Sequence, residues 1–178
     1  MKRRVFVDTE WTAPPWSERS ELLWIGLADE DGRSWYGISS EVEIDPSNDF
    51  IAGLLPLITP NEPRMSRQQL AAAVVDFCGH VDEFWAWIPT VERFAEWSGL
   101  GEEASEVFDR YWNVDLQMLR ALVKPWPPGW PNQLHNLNAV AVAAGVEIPP
   151  KAANHFHPRV HAEWNRQLFE LIRATGSL

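Results

Sequence analysis

The apolar positions of this chain follow strand spacing in some segments and helical spacing in others, which predicts a mixed α/β fold. Short apolar runs predict strands over residues 4–7, 22–28 and 34–38, and the Asp-Glu-Asp-Gly turn at 29–32 predicts that the last two form an antiparallel hairpin. The aromatic run 84–87 predicts a further short, buried strand. Because this strand follows helical segments, we expect a mixed sheet with a crossover connection.

Helical spacing and capping residues predict the helices that flank the sheet. These helices run from a cap at 46–48 through Leu57, from Ser66 past Cys78, from about Val91, from Asn132 to Ala144, and from Pro158 to about Ala174. A loop is expected at 124–131, since its four prolines remove backbone donors and disfavour helix. This loop is expected to expose Trp126 and Trp130.

Length and composition predict a single domain over residues 1–178. A chain of 178 residues with 46% hydrophobic content can bury one substantial core and is short for two. The single cysteine, Cys78, lies in an apolar helical stripe, which favours core packing and excludes an intramolecular disulfide. No run approaches the roughly 18 apolar residues that a membrane span needs, so we expect a cytoplasmic protein with no membrane partner.

The acidic balance of the chain limits how it can bind a polyanion. The formal net charge of −10 argues against a broad basic surface, because phosphate neutralisation needs clustered Lys and Arg. If nucleic acid binds, a divalent metal and local contacts must carry much of the interaction. The eleven tryptophans suit core packing, interfaces or base stacking, and composition does not separate these roles.

The segment Asp8-Thr9-Glu10, at the end of the first predicted strand, is the main candidate for chemistry. Its two carboxylates are two residues apart, so both project from the same face of an extended segment. Such a pair can hold hard divalent cations, and magnesium or manganese prefer oxygen ligands. Two-metal phosphoryl transfer needs several converging carboxylates, and a lone pair of this kind also occurs at solvated strand ends.

Three motifs along the chain resemble, in their order, a ribonuclease T-like bacterial and phage branch of the DEDD-type 3′-5′ exonucleases. They are Phe6-Val-Asp-Thr-Glu-Trp11, Phe84-Trp-Ala-Trp87 and Ala162-Glu-Trp-Asn-Arg-Gln-Leu168. The resemblance covers nearly the whole chain and implies a ribonuclease H-like mixed β-sheet flanked by α-helices. It implies that Asp8 and Glu10 ligate metal. Thr9 and Trp11 are expected to contact the substrate, and an aromatic residue at the place of Trp11 can stack on the terminal base.

The second family motif is an aspartate on the helix that follows the aromatic strand. Glu92 matches that place and is the expected third metal ligand. Asp115 starts an Asp-Leu pair that is similar to one in the family. It is expected either to sit at the start of a short helix or to contact the substrate.

The third family motif, a histidine followed five residues later by an aspartate, is altered in this chain. Alignment on Ala162 places His161 at the aspartate position and Phe156 at the general-base histidine position, with His155 and His157 on either side. An imidazole in place of a carboxylate removes a negative charge and favours transition metals over magnesium.

Three interpretations of this departure stay open. His157 and His161, four residues apart, could build a transition-metal site with the Asp8–Glu10 motif. Alternatively, His155 or His157 could serve as the general base while one metal is held weakly. In the third interpretation the site has lost activity, and the fold binds a nucleic-acid end or a protein.

The expected function is that of a metal-dependent 3′-5′ exonuclease that hydrolyses single-stranded RNA or DNA ends, with Mg²⁺, Mn²⁺ or a transition metal as cofactor. The expected metal ligands are Asp8, Glu10, Glu92 and His161, and His157 or His155 is expected to orient or deprotonate water. The alternative is a catalytically inactive exonuclease-fold module that binds nucleic acid or a protein partner. The resemblance also implies a homodimer, with the loop around Trp126 and Trp130 as a candidate interface.

Overall fold

The protein is built around a six-stranded mixed β-sheet in the computed structural model, which describes residues 2–45, 49–58, 62, 64–151 and 156–178. The strands are β1 (Arg4–Trp11), β2 (Leu22–Asp29), β3 (Ser34–Ser39), β4 (Arg64–Met65), β5 (Glu83–Ala86) and β6 (Leu134–Asn136). Their order is β4-β3-β2-β1-β5-β6. The pairs β1–β2 and β2–β3 are antiparallel, and the other neighbouring pairs are parallel.

Helices cover both faces of this sheet. Within the described residues they are α1 (Asp49–Ala52), α2 (Arg67–Cys78), α3 (Val91–Ser98), α4 (Ala104–Tyr111), α5 (Val114–Leu122), α6 (Leu137–Ala143) and α7 (Pro158–Ala174). One core layer joins α2 and α5 to the sheet, and a second joins α6 and α7 to its other face. This arrangement confirms the predicted α/β class and is the ribonuclease H-like architecture that the resemblance implied. None of the described helices has the length and apolar character needed to cross a bilayer.

The central strand β1 explains the position of the two core layers. Its side chains alternate, so that Val5 and Val7 pack with α2 and α5 while Phe6 packs with α6 and α7. Because both faces are covered, the strand is apolar at consecutive positions rather than at every second one. The strand β5 pairs only with the first residues of β1, Arg4 to Phe6, whereas β2 pairs with β1 as far as Trp11. The second half of β1 therefore lies beside a gap in the sheet.

Several predicted elements are confirmed at nearly their predicted bounds. The strands β2 and β3 and the helix α7 agree with the apolar patterns to within one residue. The helix α2 begins at a capping box in which Ser66 and Gln69 satisfy each other's backbone amides. Cys78 is buried at the end of this helix, as expected.

Other elements differ from the prediction for identifiable reasons. The strand β1 continues through Trp11, because its polar residues keep pairing with β2. The helix predicted through Leu57 is divided into α1 and a 3₁₀ turn over Leu55–Leu57, and its predicted cap at 46–48 lies outside the described residues. Residues 134–136 form an edge strand beside β5 instead of starting a helix, and Asn136 then caps α6.

The proline-rich loop 124–131 packs against the core instead of exposing both tryptophans. Trp130 is 5% exposed, and its Nε1 donates a hydrogen bond to the carbonyl oxygen of Gly79 at 2.7 Å. Its ring meets that of Phe84 edge to face at 5.5 Å. Trp126 is half-buried against the same core. An indole that fills the core cannot also anchor an interface, so the expected role of Trp130 in a dimer interface is corrected.

Gly26 in the middle of β2 permits the close approach of α7. A Cβ atom built at Gly26 would lie 2.1 Å from the carbonyl carbon of Pro158, which is less than any ordinary contact. The first turn of α7 therefore rests directly on the sheet backbone. Gly26 is also paired with Asp8 of β1, so the contact between α7 and β2 lies beside the first acidic residue of the Asp-Thr-Glu motif.

We expect Gly26→Ala to destabilise the protein by about 1–3 kcal/mol, the usual cost of overpacking a filled interior. The added methyl group has to displace the backbone of α7, which cannot move without losing its packing. Denaturant unfolding measures the change in the free energy of unfolding. The matched control is Gly53→Ala, since nothing lies within 4 Å of a Cβ atom at Gly53. Equal stability of the two variants would contradict the close contact between the first turn of α7 and Gly26 of β2.

Candidate active site

A cleft of about 330 Å³ lies at the C-terminal end of β1, where the sheet is open beyond β5. Helices from both faces of the sheet reach it. Its acidic and basic residues are Asp8, Glu10, Asp115, Arg93, Lys151 and His161. Aromatic side chains make up much of the remaining wall. The cleft therefore combines a charged floor with apolar sides.

Asp8 and His161 form a buried pair on the floor of the cleft. They are 7% and 8% exposed, and Nδ1 of His161 is hydrogen-bonded to Oδ1 of Asp8. An ionised carboxylate only accepts hydrogen bonds, so Nδ1 is the donor in this pair when Asp8 is ionised. Oδ2 of Asp8 and Nε2 of His161 are buried and have no hydrogen-bond partner in the described part of the chain. Such orphaned atoms are typical of sites that bind a ligand or an ion.

Asp115 reaches the same cleft from the first turn of α5. Its Oδ1 accepts hydrogen bonds from the backbone amide of Thr9 at 2.9 Å and from the Thr9 hydroxyl at 2.6 Å. The Thr9 oxygen in turn accepts one from Nε1 of Trp11 at 2.9 Å. These contacts anchor the start of α5 to β1. They also place Asp115 beside the Asp-Thr-Glu motif.

Burial and mutual repulsion raise the proton affinity of these carboxyl groups. Burial, and then the charge of Asp8, raises the pKa of Asp115 to about 8, although the hydrogen bonds from Thr9 act in the other direction. Burial, followed by the charges of Asp8 and Asp115, raises the pKa of Glu10 well above its usual value. The folded chain thus brings several carboxyl groups together in a cleft where ionising all of them costs free energy. Perturbed groups of this kind cluster at functional sites.

Lys151 is a half-buried cation that lines the same cleft as this acidic group. Its Nζ lies 3.9 Å from the ring centroid of Trp87 and 5.3 Å from that of Trp164. Burial lowers its pKa to about 8, and the nearby charge of Asp8 acts in the other direction. No sequence pattern singled out Lys151, because a lone lysine in a proline-rich segment carries no periodic or motif signal.

His161 belongs to the same aromatic wall as Lys151. Its ring is stacked on Trp164, with centroids 5.4 Å apart, and meets Trp87 at 6.5 Å. Trp164 follows His161 by three residues on α7, so both rings lie on one face of the helix, and His161 lines the cleft. The aromatic contacts hold the imidazole in the orientation that reaches Asp8.

The structure brings together six of the eight residues that the sequence predicted for the site. Those that line the cleft are Asp8, Thr9, Glu10, Trp11, Asp115 and His161. Phe156, at the position of the family's general-base histidine, also lines it and is 48% exposed. His155 lies outside the described residues.

Glu92 is not among the described residues that line the cleft. Its side chain is exposed in the first turn of α3. Hydrogen bonds from its own backbone amide and from Thr90 lower the pKa of Glu92. The carboxylate therefore stabilises the N-terminus of α3. The third carboxylate in the cleft is thus Asp115 and not Glu92. The sequence had predicted for Asp115 either a place at the start of a short helix or a contact with the substrate.

His157 is also separated from the acidic group. It precedes α7, and its ring lies 4.4 Å from that of Trp24 and 4.9 Å from that of Tyr36. Burial, and then the charge of Arg159, lowers its pKa. His157 and His161 therefore do not present their rings to one metal site, and His157 is not among the described residues lining the cleft.

One signal in the sequence points to Asp115. It precedes Leu119 and Leu122 by four and seven residues, which is the spacing of the buried face of α5. An acidic residue on an apolar helix face is costly unless it has a partner or a function. In contrast, Glu92 has no such apolar repeat behind it that would predict burial.

Within the described residues, no group of three or more His, Cys, Asp or Glu side chains has the spacing of a ready-made metal site. The cleft nevertheless contains oxygen and nitrogen donors of the kinds that bind divalent ions. They come from Asp8, Glu10, Asp115 and His161. Chemically, the arrangement can bind a cation on its floor and a flat or apolar group against its walls.

Comparisons with known proteins give the site a context. No protein-family model matches the chain. Two curated relatives are 3′-5′ exoribonucleases of Mycobacterium tuberculosis, from strains CDC 1551 / Oshkosh and ATCC 25618 / H37Rv. Each is 30% identical over 100 residues. The match covers 52% of this chain and 58% of each relative, so it spans little more than half of the relatives' length.

Among solved structures, two of exonuclease I are similar to this chain over 98% of its length and 41% of theirs. One has a TM-score of 0.46 and 18% identity. The other, E. coli exonuclease I in complex with a 5cy-dA13 oligonucleotide, has a TM-score of 0.49 and 15% identity. The two curated relatives agree with the resemblance that the motifs predicted: over the matched 100 residues, this chain is similar to 3′-5′ exoribonucleases.

Proposed function

We propose that this protein is a metal-dependent 3′-5′ exonuclease that hydrolyses single-stranded ends of RNA or DNA. The observation that carries the proposal is the convergence of Asp8, Glu10 and Asp115 with His161 in one cleft, where two buried polar atoms have no described partner. The named activity of the curated relatives supports the same reaction class.

The residues present fit a divalent cation. Three carboxylates in a confined, partly dehydrated cleft repel each other, as the raised pKa values of Glu10 and Asp115 indicate, and a dication would relieve this repulsion. Asp8, Glu10, Asp115 and His161 would hold it. Oxygen ligands suit Mg²⁺ or Mn²⁺, and the imidazole favours Mn²⁺ or another transition metal. When bound, such an ion supplies charge stabilisation and an activated water for phosphodiester hydrolysis.

The walls of the cleft support a single-stranded substrate. Trp97, Trp112 and Phe156 line it and are 57%, 37% and 48% exposed. Unpaired bases stack on such rings for about 1–3 kcal/mol each, whereas the bases of a duplex are already stacked on each other. Among the described lining residues, the Lys and Arg side chains are Lys151 and Arg93, so stacking has to replace much of the usual phosphate contact.

A catalytically inactive binding module is the second candidate. It is favoured by the pairing of His161 with Asp8, which occupies one of the Asp8 oxygens that a metal would use. The same aromatic walls would then hold a nucleic-acid end without cutting it. The two candidates differ in whether a shortened product ever forms.

End-labelled single-stranded RNA and DNA oligonucleotides, incubated with Mg²⁺, Mn²⁺, Zn²⁺ or a chelator, test the proposal directly. Stepwise shortening from the 3′ end that stops with chelator is the expected result, with Mn²⁺ the strongest activator because of the imidazole ligand. If the folded protein binds the labelled oligonucleotide but does not shorten it with any of these ions, the result would support the binding module instead.

We expect Asp115→Asn to lower kcat/KM by more than about 100-fold, because even second-shell partners of metal ligands are worth roughly 10–100-fold. The amide keeps the hydrogen-bonding shape but removes the charge. Glu92→Gln is the matched comparison, and it is expected to retain activity because Glu92 is exposed on α3. The opposite outcome, with Glu92→Gln inactive and Asp115→Asn active, would restore the assignment made from the motif order.

The metal-free protein is expected to lose stability as the pH rises from about 4 to 8. The pKa of Asp115 is raised to about 8 in the folded chain, while an unfolded aspartate titrates near pH 4. In this window the folded state binds more protons than the unfolded state, so the free energy of unfolding falls as the pH rises. Urea unfolding in chelator across this range measures the slope.

Asp115→Asn removes one titrating group and is expected to reduce that slope, with a residual slope from Glu10, whose pKa is also raised. Asp109→Asn, at an exposed position on α4, is the control and is expected to keep the wild-type slope. A slope that is unchanged in Asp115→Asn would contradict the protonated, buried state of this carboxyl group.

The homodimer that the resemblance implied stays a prediction. Trp130 packs in the core, so an interface at this loop would have to use its other residues, such as the half-buried Trp126. Light scattering on the purified full chain measures the assembly state.

A further inference from the structure

The proposed metal site contains an internal cation. Lys151 lies in the cleft with Asp8, Glu10 and Asp115, and its ammonium is held over the rings of Trp87 and Trp164. The distance of 3.9 Å to the Trp87 centroid is well inside the limit of about 6 Å for a cation–π interaction. The aromatic rings thus hold a positive charge in the same cleft as three carboxylates.

The environment of Lys151 indicates that its charge interacts with the carboxylates of the cleft. Lys151 is half-buried, and although burial lowers its pKa to about 8, the charges of Asp8, Glu10 and Asp115 all favour its ammonium form. In return, Lys151 favours the ionised forms of Glu10 and Asp115. Lysine and carboxylates therefore stabilise each other's charge across the cleft.

The charge balance of the cleft decides how many divalent ions it suits. With a metal bound, the ionised carboxylates of Asp8, Glu10 and Asp115 would carry three negative charges, and the ammonium of Lys151 would offset one of them. One dication balances the remainder, whereas two would leave the site with an excess of positive charge. His161, as a neutral imidazole, adds no negative charge that could balance a second ion.

Arg93 differs from Lys151 although both lie over Trp87. The Arg93 guanidinium is 5.8 Å from the Trp87 centroid and its side chain is exposed. Solvent screens an exposed charge, so it contributes little to the balance on the floor of the cleft. Arg93 therefore serves as a natural control for Lys151.

We infer that Lys151 replaces the charge of a second metal ion, so that this site binds a single divalent cation. In this role Lys151 is a positioning residue for the ion and for the phosphate that binds it. Trp87 and Trp164 keep the ammonium in place, and the same two rings hold His161. The inference rests on the proposed function, because it assumes that Asp8, Glu10 and Asp115 hold a divalent ion.

The experiment is a titration of the full chain with Mn²⁺ at neutral pH, with the number of ions bound measured by calorimetry and by electron paramagnetic resonance. Wild type is expected to bind one ion per chain. Lys151→Met keeps an unbranched apolar stem against the two indoles but removes the charge, and it is expected to bind a second ion. Lys151→Arg and Arg93→Met are expected to bind one, because each keeps a cation at position 151.

Circular dichroism confirms that each variant is folded, and Lys151→Gln provides a second neutral variant should Lys151→Met fail to fold. Two ions bound to wild type, or one ion bound to both neutral variants, would overturn the role of Lys151 while leaving the exonuclease proposal intact. No Mn²⁺ bound to wild type would overturn both. Because the measurement counts ions, it separates these outcomes without requiring hydrolysis.

Discussion

The backbone of Pro158 rests against Gly26, and the geometry of the cleft follows from this contact. Gly26 has no side chain to hold α7 away from the sheet, so the first turn of the helix lies on β2. Since Gly26 pairs with Asp8 across the strands, a residue one turn into α7 can reach the Asp8 carboxylate. That residue is His161, and Trp164 follows it along the same helix face. The helix thereby positions both the imidazole and the aromatic wall.

A second constraint is electrostatic. The end of β1 extends beyond β5, which creates a cleft, but it also gathers carboxylates from β1 and α5 in a place with little water. Thr9 compensates partly by donating hydrogen bonds to Asp115, and Lys151 compensates partly through its charge. The remaining repulsion is a cost to folding that a bound cation would remove. Costly clusters of this kind are typical of functional sites, which agrees with the proposed role of this end of the central strand.

The acidic character of the whole chain is compatible with this proposed role. A net charge of −10 prevents broad attraction of a polyanion, so recognition has to be local. The proposed cation site lies on the floor of the cleft, and exposed aromatic rings, including Trp97 and Trp112, line its sides. These features suit the end of a single strand, whose bases are free to stack and whose terminal phosphodiester can enter the cleft.

The sequence by itself determined the elements that depend on local patterns. Apolar alternation and helical spacing predicted the strands around the hairpin and the helices α2 and α7, because neighbouring residues in such elements share one environment. The Asp8–Glu10 pair was predictable for the same reason, because the side chains of two residues that are two positions apart on a strand point to the same face of the sheet. The order of motifs added the resemblance to 3′-5′ exonucleases, and the curated relatives to which this chain is similar are 3′-5′ exoribonucleases.

Only the tertiary structure decided which distant side chains meet. Asp115 is 106 residues from Thr9 along the chain, and its place in the cleft follows from the packing of α5 against β1. The same packing leaves Glu92 exposed on α3, and the seat of α7 separates His157 from His161 although they are neighbours on one helix turn. Lys151 has no pattern around it at all. A local pattern records the environment along one element, whereas convergence in a cleft depends on how several elements pack, and that information is not local.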